Sequence, residues 1–586
     1  MKRITYSILS LAAVGVIGWS CSKSFLDKKP LGQLDANTLA NKKGVEALLV
    51  GAYSVLDGFI NGGGIFLGGW QSSGTNWVYG SVVGGDAHKG SDAGDQPDII
   101  PIESFSSTPT NGYYEQKWAI VYEGVTRSNS VLKQLAAATD VSDADKKRIT
   151  GEARFLRGHY HFEGKKMWNN IPYIDETVTD FNVANTTDVW PKITEDLKFA
   201  YDNLTATMPN KGRVNKWAAG AMYGKALLFQ KKFAEARAVL RDVFNNGTTA
   251  DGRKYALLTK FADNFNAETK NSTESVFAVQ YSVNDGTSGG DNGGWGEVLN
   301  FPYTGGPGTC CGFFQPSQDL VNAFLVDAAG LPDLDNYNKR EVKNDQGIAA
   351  GASFTVDTQP LDARLDWTVG RRGIPYLDWG LHPGVTWIRD QTYAGPYAPI
   401  KNTYYKTQQG VLTDKNFWTS GVTANNYTLI RLADVILMLA ETEVEVGTLE
   451  EARRLVNLVR ARAANPTGFV QGSAATYQVG LYTAPWTDKA VATKAVRMER
   501  RLELGMEGHR FFDLVRWGIA EPTLNTYLKY VSGRPTNGWT PPVNKRNFLV
   551  NANFTAGKNE YFPIPQNQID RSSKDGTPTL KQNPGF

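Results

Sequence analysis

The sequence has few cysteines, almost no net charge and only one long apolar run. Three cysteines among 586 residues exclude a fold that is held together by several disulfides, as in disulfide-rich exported proteins. Lys and Arg number 62 against 59 Asp and Glu, and no basic block is present, so binding to nucleic acid is not expected. No run beyond the N-terminus approaches the roughly 20 apolar residues of a membrane-spanning helix.

Signature motifs of common enzyme classes are also missing. The sequence contains no H-E-x-x-H, no G-x-S-x-G and neither of the glycine-rich phosphate loops. His159 and His161 look like a metal pair, but residues two apart on a helix point about 200° away from each other. We therefore predict no metal site there and no cofactor.

Glu503 and Glu507 lie on one face of a predicted helix and are candidates for acid–base chemistry. Within a few turns of them lie four arginines, Arg500, Arg501, Arg510 and Arg516. Carboxylates and guanidinium groups at such spacing usually pair with each other. The pattern favours an internal ion-pair network.

The N-terminus carries the features of an export signal. A basic start precedes the apolar run Ile8–Trp19, so we predict that residues 1–20 are a signal peptide. Cleavage before Cys21 would expose a cysteine that can be acylated, which would anchor a soluble domain to a membrane. Gly18 and Ser20 also fit ordinary signal peptidase cleavage, which would leave Cys21 as a free thiol.

Helical patterns come in pairs and alternate with long irregular stretches. Alanine-rich pairs with recurring Tyr and Leu resemble tetratricopeptide units. We predict one mainly α domain over residues 21–586, in which the scattered repeats do not form one continuous solenoid. The predicted helical scaffold covers about 35–56, 115–245 and 425–520, the loop-rich parts cover about 57–114 and 260–424, and the C-terminal segment covers 521–586.

Aromatic residues are abundant in the glycine-rich loops. The chain contains 15 Trp, 25 Tyr and 27 Phe, and aromatic rings on loops are available to ligands. Stacking rings with nearby polar groups suit the C–H faces and hydroxyl rims of sugars, although peptides can use the same surfaces. Packing of each ring under its own loop is the alternative. The candidate ligand-binding residues form three clusters: Trp70, Trp77, Tyr79 and Asp86; Trp295 and Tyr303; and Trp379, Trp387 and Tyr393.

Carboxylates in the loops allow a further interpretation. Asp366 and Asp378 lie beside tryptophans, as the two carboxylates of a glycoside hydrolase would. The alternative is that nearby arginines neutralise them within the fold. A second acidic loop, Asp86, Asp92, Asp95 and Asp98, is rich in oxygen ligands but does not follow the EF-hand spacing, so no calcium site is predicted.

The adjacent cysteines Cys310 and Cys311 lie in one of the aromatic loops. They are either a vicinal disulfide or two thiols, and the sequence does not distinguish between these states.

Five stretches together resemble one protein family. They are CSKSFLDKKP at 21–30, GEARFLRGHYHFEGKKMWNNIPYI at 151–174, RLADVILMLAET at 431–442, ERRLELGMEGHRFFDLVRWG at 499–518 and the ending that begins YFPIPQNQID. In this order and spacing they resemble the SusD/RagB family of nutrient-binding outer-membrane lipoproteins from Bacteroidetes.

The resemblance implies an architecture and a function. Four tetratricopeptide-like helix pairs would form a scaffold, and the irregular half would carry the ligand site. A lipid on Cys21 would hold the protein at the outer membrane, where it would act as the lid of a SusC-like TonB-dependent transporter. It would capture oligosaccharides, or peptides as RagB-type members do, without bond chemistry.

Overall fold

The computed structural model describes residues 36–62, 65–287, 290–308, 310–536, 538–539, 542 and 545–586. The predicted signal peptide and Cys21 lie outside the described residues.

The described part of the chain is mainly α-helical, which confirms the predicted fold class. Its α-helices are α1 Ala36–Leu39, α2 Lys42–Ser54, α3 Ile99–Glu103, α4 Gly112–Ala137, α5 Asp143–Trp168, α6 Trp190–Asn203, α7 Lys216–Phe229, α8 Phe233–Asn246, α9 Gln318–Ala323, α10 Leu365–Thr368, α11 Gln391–Ala394, α12 Leu432–Val446, α13 Leu449–Ala463, α14 Lys489–Leu504, α15 Arg510–Arg516, α16 Ala520–Val531 and α17 Gln566–Arg571. None of these helices combines the length and apolar character needed to cross a membrane.

The strands are short and pair two by two. They are β1 Phe59–Gly62, β2 Ile65–Gly68, β3 Ala87–Lys89, β4 Ser275–Val279, β5 Phe314–Pro316, β6 Pro360–Leu361, β7 Val369–Gly370, β8 Ala398–Pro399, β9 Tyr427–Arg431, β10 Thr476–Tyr477, β11 Ser573–Lys574 and β12 Thr577–Pro578. β1 and β2 form an antiparallel hairpin, and β4 pairs with β9, whose last residue directly precedes α12. The strands therefore brace loops and do not form a layer of their own.

Local sequence signals fix the long helices. Ser142 caps α5 by accepting a hydrogen bond from the backbone N–H of Asp145, and Asn215 caps α7 in the same way through Ala218. Gly220 of α7 lies so close to α6 that an added Cβ would come within 2.8 Å of the Tyr201 ring. A small residue at this position thus allows the two helices to approach each other closely.

The long helices α4 to α8 and α12 to α14 form one continuous row, contrary to the expectation that the scattered repeats do not form one continuous solenoid. Helices α4 to α8 pack each against the next, and α8 then packs against α12, which contacts α13 and α14. Arg237 of α8 joins the two halves by donating to Glu443 of α12 at 2.6 Å. The expectation was wrong because residues 247–431 form an insertion between α8 and α12, and these two helices nevertheless pack against each other. The order of the repeats along the chain does not show this contact.

The predicted ion-pair network is present, but its partners come from distant segments. Glu503 of α14 accepts from Arg364 at 2.8 Å and also from Arg431 and Arg462. Burial raises the pKa of Glu503, but these three charges outweigh burial and hold it well below its usual value. The network ties the helical row to the loop-rich part of the chain.

The neighbouring arginines are likewise paired across the fold. Arg500 pairs with Asp434 at 2.8 Å, and Arg516 pairs with Glu441 of α12 at 2.5 Å. Arg510 lies near Asp86 and Asp319, the two carboxylates with which Arg501 pairs.

Candidate functional site

The structure places most of the first predicted cluster in the core. Trp77 is 1% exposed and lies edge-on to Phe314 at 5.7 Å. The Tyr79 hydroxyl is 2.8 Å from the carbonyl of Gln71 and 2.9 Å from that of Tyr113. Both side chains belong to a buried π-helical turn, so they support the fold and are not exposed on a surface that a ligand could reach.

The acidic side chains near this turn are paired with arginines. Asp86 is buried and pairs with Arg501 at 3.1 Å, which removes it from any ligand surface. Asp92 and Asp95 each pair with Arg389 at 2.7 Å. Among the described residues no group of His, Cys, Asp or Glu side chains is arranged to hold a metal ion.

The third predicted cluster comes together only in part. Trp387 is buried and lies edge-on to Tyr376 at 5.3 Å, in a small core that Trp379 covers. Tyr393 lies elsewhere and stacks on Phe548 at 4.9 Å. These rings pack under their own loops, which was the alternative interpretation.

Tyr303 does not join Trp295 in the second cluster. The Tyr303 ring is half-buried beneath the guanidinium of Arg389, 5.2 Å from its centre. Cys310 and Cys311 form a vicinal disulfide across a cis peptide bond, which settles their state in this structure.

Trp295 lies at the centre of an exposed group of rings that the sequence alone did not assemble. It stacks on Phe59 at 4.4 Å, meets Phe66 edge-on at 6.4 Å and meets Phe417 edge-on at 4.7 Å. Trp418 continues the group at 5.4 Å from Phe417. We call these five residues, Phe59, Phe66, Trp295, Phe417 and Trp418, the aromatic patch.

The outer rings of the aromatic patch face solvent. Phe66 is 58% exposed and Trp418 is 59% exposed, whereas Trp295 between them is 8% exposed. Its buried indole N–H has no hydrogen-bond partner within the described chain. Exposed neighbouring rings are costly in water unless they meet a ligand or partner, so the patch is a candidate binding surface.

A cavity of about 570 Å³ adjoins the aromatic patch, because Phe59 belongs to both. This volume lies within the range of typical ligand sites. The cavity brings polar groups next to the rings: Asn61 donates to Asp291 at 3.1 Å beside it. Its other polar lining residues include Asn292, Gln280, Asn210, Arg127 and Arg213.

Two buried carboxyls lie beside the patch and the cavity. Burial raises the pKa of Asp57, which lines the cavity, to about 8, and that of Glu297, two residues after Trp295, to about 7. The Phe59 backbone N–H donates to Asp57 at 2.7 Å, and the Ser73 hydroxyl donates weakly to Glu297 at 3.4 Å. Both carboxyls are therefore largely or partly neutral near pH 7, which suits neutral polar ligands.

Trp70 lies at the end of the hairpin that carries Phe66. It is half-buried and its indole N–H donates to the Gln96 side chain at 3.2 Å. The ring flanks the patch segment without a ring contact to Trp295 among the described residues.

The carboxylates proposed for glycoside hydrolysis have other partners. Asp366 is buried, accepts two hydrogen bonds from Arg371 at 2.6 and 2.9 Å, and accepts one from the Tyr477 hydroxyl at 2.5 Å. Asp378 is exposed and accepts from the backbone N–H groups of Lys406 and Thr407. Both are arranged as structural carboxylates.

Sequence reasoning missed four members of the aromatic patch. Phe59 and Phe66 lie in a glycine-rich hairpin, and Phe417 and Trp418 are adjacent in the segment DKNFWTSG. Two large rings side by side in a polar loop were a usable signal. The contact between these distant segments was not readable from the sequence.

The fold and site define a class: a helix-repeat scaffold whose long loops carry a candidate aromatic binding surface. The family model described as "SusD family" matches residues 273–586, and one described as "Starch-binding associating with outer membrane" matches residues 96–228. The chain belongs to the SusD family, which confirms the resemblance seen in its sequence.

Curated relatives and solved structures agree with this assignment. A SusD-like protein of Bacteroides ovatus is 24% identical over 544 residues, covering 87% of this chain and 82% of the relative. A laminarin-binding SusD-like protein superposes with a TM-score of 0.62 at 23% identity, covering 93% and 100% of the two chains. Surface glycan-binding protein A from Bacteroides thetaiotaomicron, in complex with laminarihexaose, superposes with a TM-score of 0.64 at 19% identity, covering 93% and 99%.

Proposed function

We propose that this protein is a cell-surface binding protein that captures oligosaccharides on the aromatic patch. The observation that carries the proposal is the exposed group of rings from three separate loops next to an open cavity with polar walls. Sugar rings would stack on Phe66 and Trp418, and the amide groups of Asn61 and Asn292 would bind hydroxyls.

The glycan class is supported by the family and its structural neighbours. One matching family is described as starch-binding. Of the structural neighbours, one is a laminarin-binding protein and another was solved in complex with laminarihexaose. Starch and laminarin are neutral glucans, and the raised pKa values of the Asp57 and Glu297 carboxyls are compatible with such ligands.

We further propose how capture serves uptake. A lipid on Cys21 would hold the protein at the outer membrane, and the helical row would face a SusC-like transporter for which the protein acts as a lid. Capture of this kind needs only micromolar to millimolar affinity, about −8 to −4 kcal/mol, because the tether keeps the ligand near the transporter. Tighter binding would slow release, and no catalytic step is required.

Calorimetric titration of the soluble domain, begun after Cys21, tests the proposal. Laminarihexaose, maltohexaose and a mixed tripeptide pool would be titrated, and each mixture would then be checked for cleavage products. We expect saturable binding of one glucan without cleavage. Binding of peptides alone would favour the RagB-type function, and cleavage of any glucan would contradict the proposal.

Two surface variants locate the site. We expect Trp418→Ala and Phe66→Ala each to weaken glucan binding about tenfold, about 1.4 kcal/mol, through loss of a stacking face. The matched control is Phe181→Ala, because Phe181 is a 70% exposed phenylalanine outside the patch. Equal affinity for all three variants would place the site elsewhere.

A further inference from the structure

A second cavity, of about 250 Å³, is walled mainly by helices. Its lining includes Asp319 of α9, Arg501 of α14, Arg510 of α15 and Thr523 of α16. It shares no lining residue with the cavity beside the aromatic patch. Its volume is just below the roughly 300–1,000 Å³ of pockets for drug-sized ligands, so it suits a smaller ligand, such as one sugar ring.

The charges of the cavity wall balance. Among the described residues, the charged side chains that line it or pair with a lining residue are three cations and three carboxylates: Arg501, Arg510 and Lys494, and Asp86, Asp319 and Asp335. Arg501 pairs with Asp319 at 2.5 Å and with Asp86 at 3.1 Å, and Arg510 lies near the same two carboxylates. Because no net charge is left to offset the desolvation of a charged ligand, the wall favours an uncharged one.

Polar groups of the wall keep hydrogen-bonding positions that the described part of the chain does not use. The half-buried Arg510 guanidinium makes no hydrogen bond there, and neither do the Thr523 hydroxyl and the Trp539 indole N–H. Asp335 accepts from Lys494 at 2.6 Å through Oδ1, which leaves Oδ2 as an acceptor. Sugar hydroxyls both donate and accept hydrogen bonds, so this mixture of donors and acceptors matches them.

The Trp539 ring gives the cavity an aromatic face. It is half-buried, lies 6.0 Å from the Tyr337 ring and meets the Tyr530 ring edge-on at 5.9 Å. The Trp539 backbone N–H donates to the Thr536 carbonyl at 2.8 Å, which closes the turn that carries the ring. An aromatic face next to donors and acceptors of balanced charge is suited to the C–H face and hydroxyl rim of a neutral sugar.

We propose that this cavity, which we call the Trp539 pocket, binds one neutral hexose unit, with the sugar ring against Trp539 and its hydroxyls on Arg510, Thr523 and Asp335. This is a second sugar site, and it does not rest on glucan capture at the aromatic patch. Two sites on one protein would raise its avidity for a polysaccharide, because such a chain carries many hexose units.

Titration of the soluble domain with glucose, galactose and mannose, followed by tryptophan fluorescence and saturation-transfer NMR, tests the Trp539 pocket. The titrations use Trp418→Ala protein beside wild type, so that binding at the aromatic patch does not mask the second site. We expect at least one hexose to bind saturably to both proteins and to change the fluorescence. Absence of binding by all three hexoses in the Trp418→Ala protein would overturn the proposal.

Further substitutions in the Trp418→Ala protein assign the binding to the Trp539 pocket. We expect Trp539→Ala to weaken hexose binding at least tenfold and to abolish the fluorescence change, and Thr523→Val to weaken binding about fivefold through loss of one hydrogen bond. Trp486→Ala is the matched control, because Trp486 is also half-buried and edge-on to a tyrosine, Tyr482 at 5.2 Å, but does not line the pocket. Hexose binding that is unchanged in Trp539→Ala would overturn the proposal.

Charged sugars test the balance of charge in the wall. We expect glucuronate, and glucosamine in its protonated form, to bind more weakly than glucose. Asp335→Asn removes one carboxylate and should shift the preference towards glucuronate. Asp180→Asn is its control, because Asp180 is an exposed carboxylate that pairs with an exposed lysine, Lys574, at 3.2 Å away from the pocket. Tighter binding of glucuronate than of glucose by the Asp335 form would contradict the proposal.

Two comparisons keep the result unambiguous. Thermal unfolding of each variant shows whether it is folded, and the conservative Thr523→Val remains informative if Trp539→Ala is not. Hexose binding that depends on Trp539 but not on Trp418 would support the Trp539 pocket even if the aromatic patch binds no glucan. Binding that is lost in Trp418→Ala, with no remainder that depends on Trp539, would overturn the Trp539 pocket and leave the patch in place.

Discussion

Two consecutive segments that both contain glycine and aromatic residues place their rings differently. Residues 59–70 include Phe66, which is 58% exposed, whereas both aromatic rings of residues 71–82, Trp77 and Tyr79, are 1% exposed. The second segment packs so closely on the chain after α14 that a Cβ on Gly80 would lie 1.9 Å from the Gly508 carbonyl oxygen. The presence of glycine and aromatic residues therefore does not distinguish an exposed ring from a core ring; contacts with other segments do.

The largest expected effect tests the buried side of this comparison. We expect Trp77→Ala to lower the free energy of unfolding by about 3–5 kcal/mol, because it leaves a cavity where the ring packs on Phe314. Phe66→Ala should change it by less than about 0.5 kcal/mol, as surface substitutions do. Denaturant unfolding of both variants measures the difference, and similar losses would contradict the contrast between the segments.

The next effect concerns the ion pairs behind the buried segment. Glu507, next to Gly508, accepts from Lys401 at 2.8 Å and from Arg431 at 2.9 Å. Burial raises the pKa of Glu507, but these charges outweigh burial and hold it below its usual value.

We expect Glu507→Gln to destabilise the protein by about 3 kcal/mol, because it leaves two buried cations short of an anion. Glu450→Gln is the control: Glu450 pairs with Arg453 on the surface, and we expect no measurable change. A loss in Glu507→Gln no larger than in the control, measured by denaturant unfolding, would show that the network does not hold the buried segment.

A smaller effect is the dependence of stability on pH, which comes from a histidine in the interior and not from the aromatic patch. His161 is buried, its Nδ1 lies 3.0 Å from the Arg157 carbonyl oxygen, and its Nε2 accepts from the Ile174 backbone N–H at 3.2 Å. Burial lowers its pKa to about 4. Below pH 6.5 the unfolded chain binds a proton that the folded chain does not, so this residue's contribution to stability falls as the pH falls towards 4.

We expect this single histidine to remove about 2 kcal/mol of stability between pH 7 and pH 5. His161→Gln should be less stable than wild type at pH 7. Between pH 7 and pH 5, its free energy of unfolding should fall by about 2 kcal/mol less than that of wild type, as measured by unfolding at both pH values. At each pH, glucan affinity should be the same in both proteins, because His161 lines neither the aromatic patch nor the cavity beside it. Parallel stability curves for wild type and variant would refute the assignment.

Much of the scaffold was predictable because its signals are local. Ser142 and Asn215 are N-cap residues, and they mark where α5 and α7 begin. The helical spacing of apolar residues along α4 and α5 predicts the length of these helices and their pairing. The sequence also predicted that Glu503 takes part in ion pairs with arginines, because charges of both signs on helices that are largely buried must pair. Its partners were not, because Arg364 and Arg431 come from other parts of the chain.

The candidate site was less predictable than the scaffold. The loops that hold it were identified by their length and aromatic content, and Trp295 was named, but Trp77 and Tyr79 were assigned to the ligand although they are core. Stacking and burial demand the same residue types, so composition alone cannot separate them.

The sequence by itself determined the helix pairs, the family and the loop-borne character of the site, because caps, periodicity and motif order act within short stretches of chain. Only the tertiary structure decided which rings meet solvent, that α8 packs against α12, and that Glu503 pairs with Arg364 and Arg431. Each of those outcomes depends on contacts between segments distant in sequence, where packing and electrostatics, and not local propensity, set the free energy.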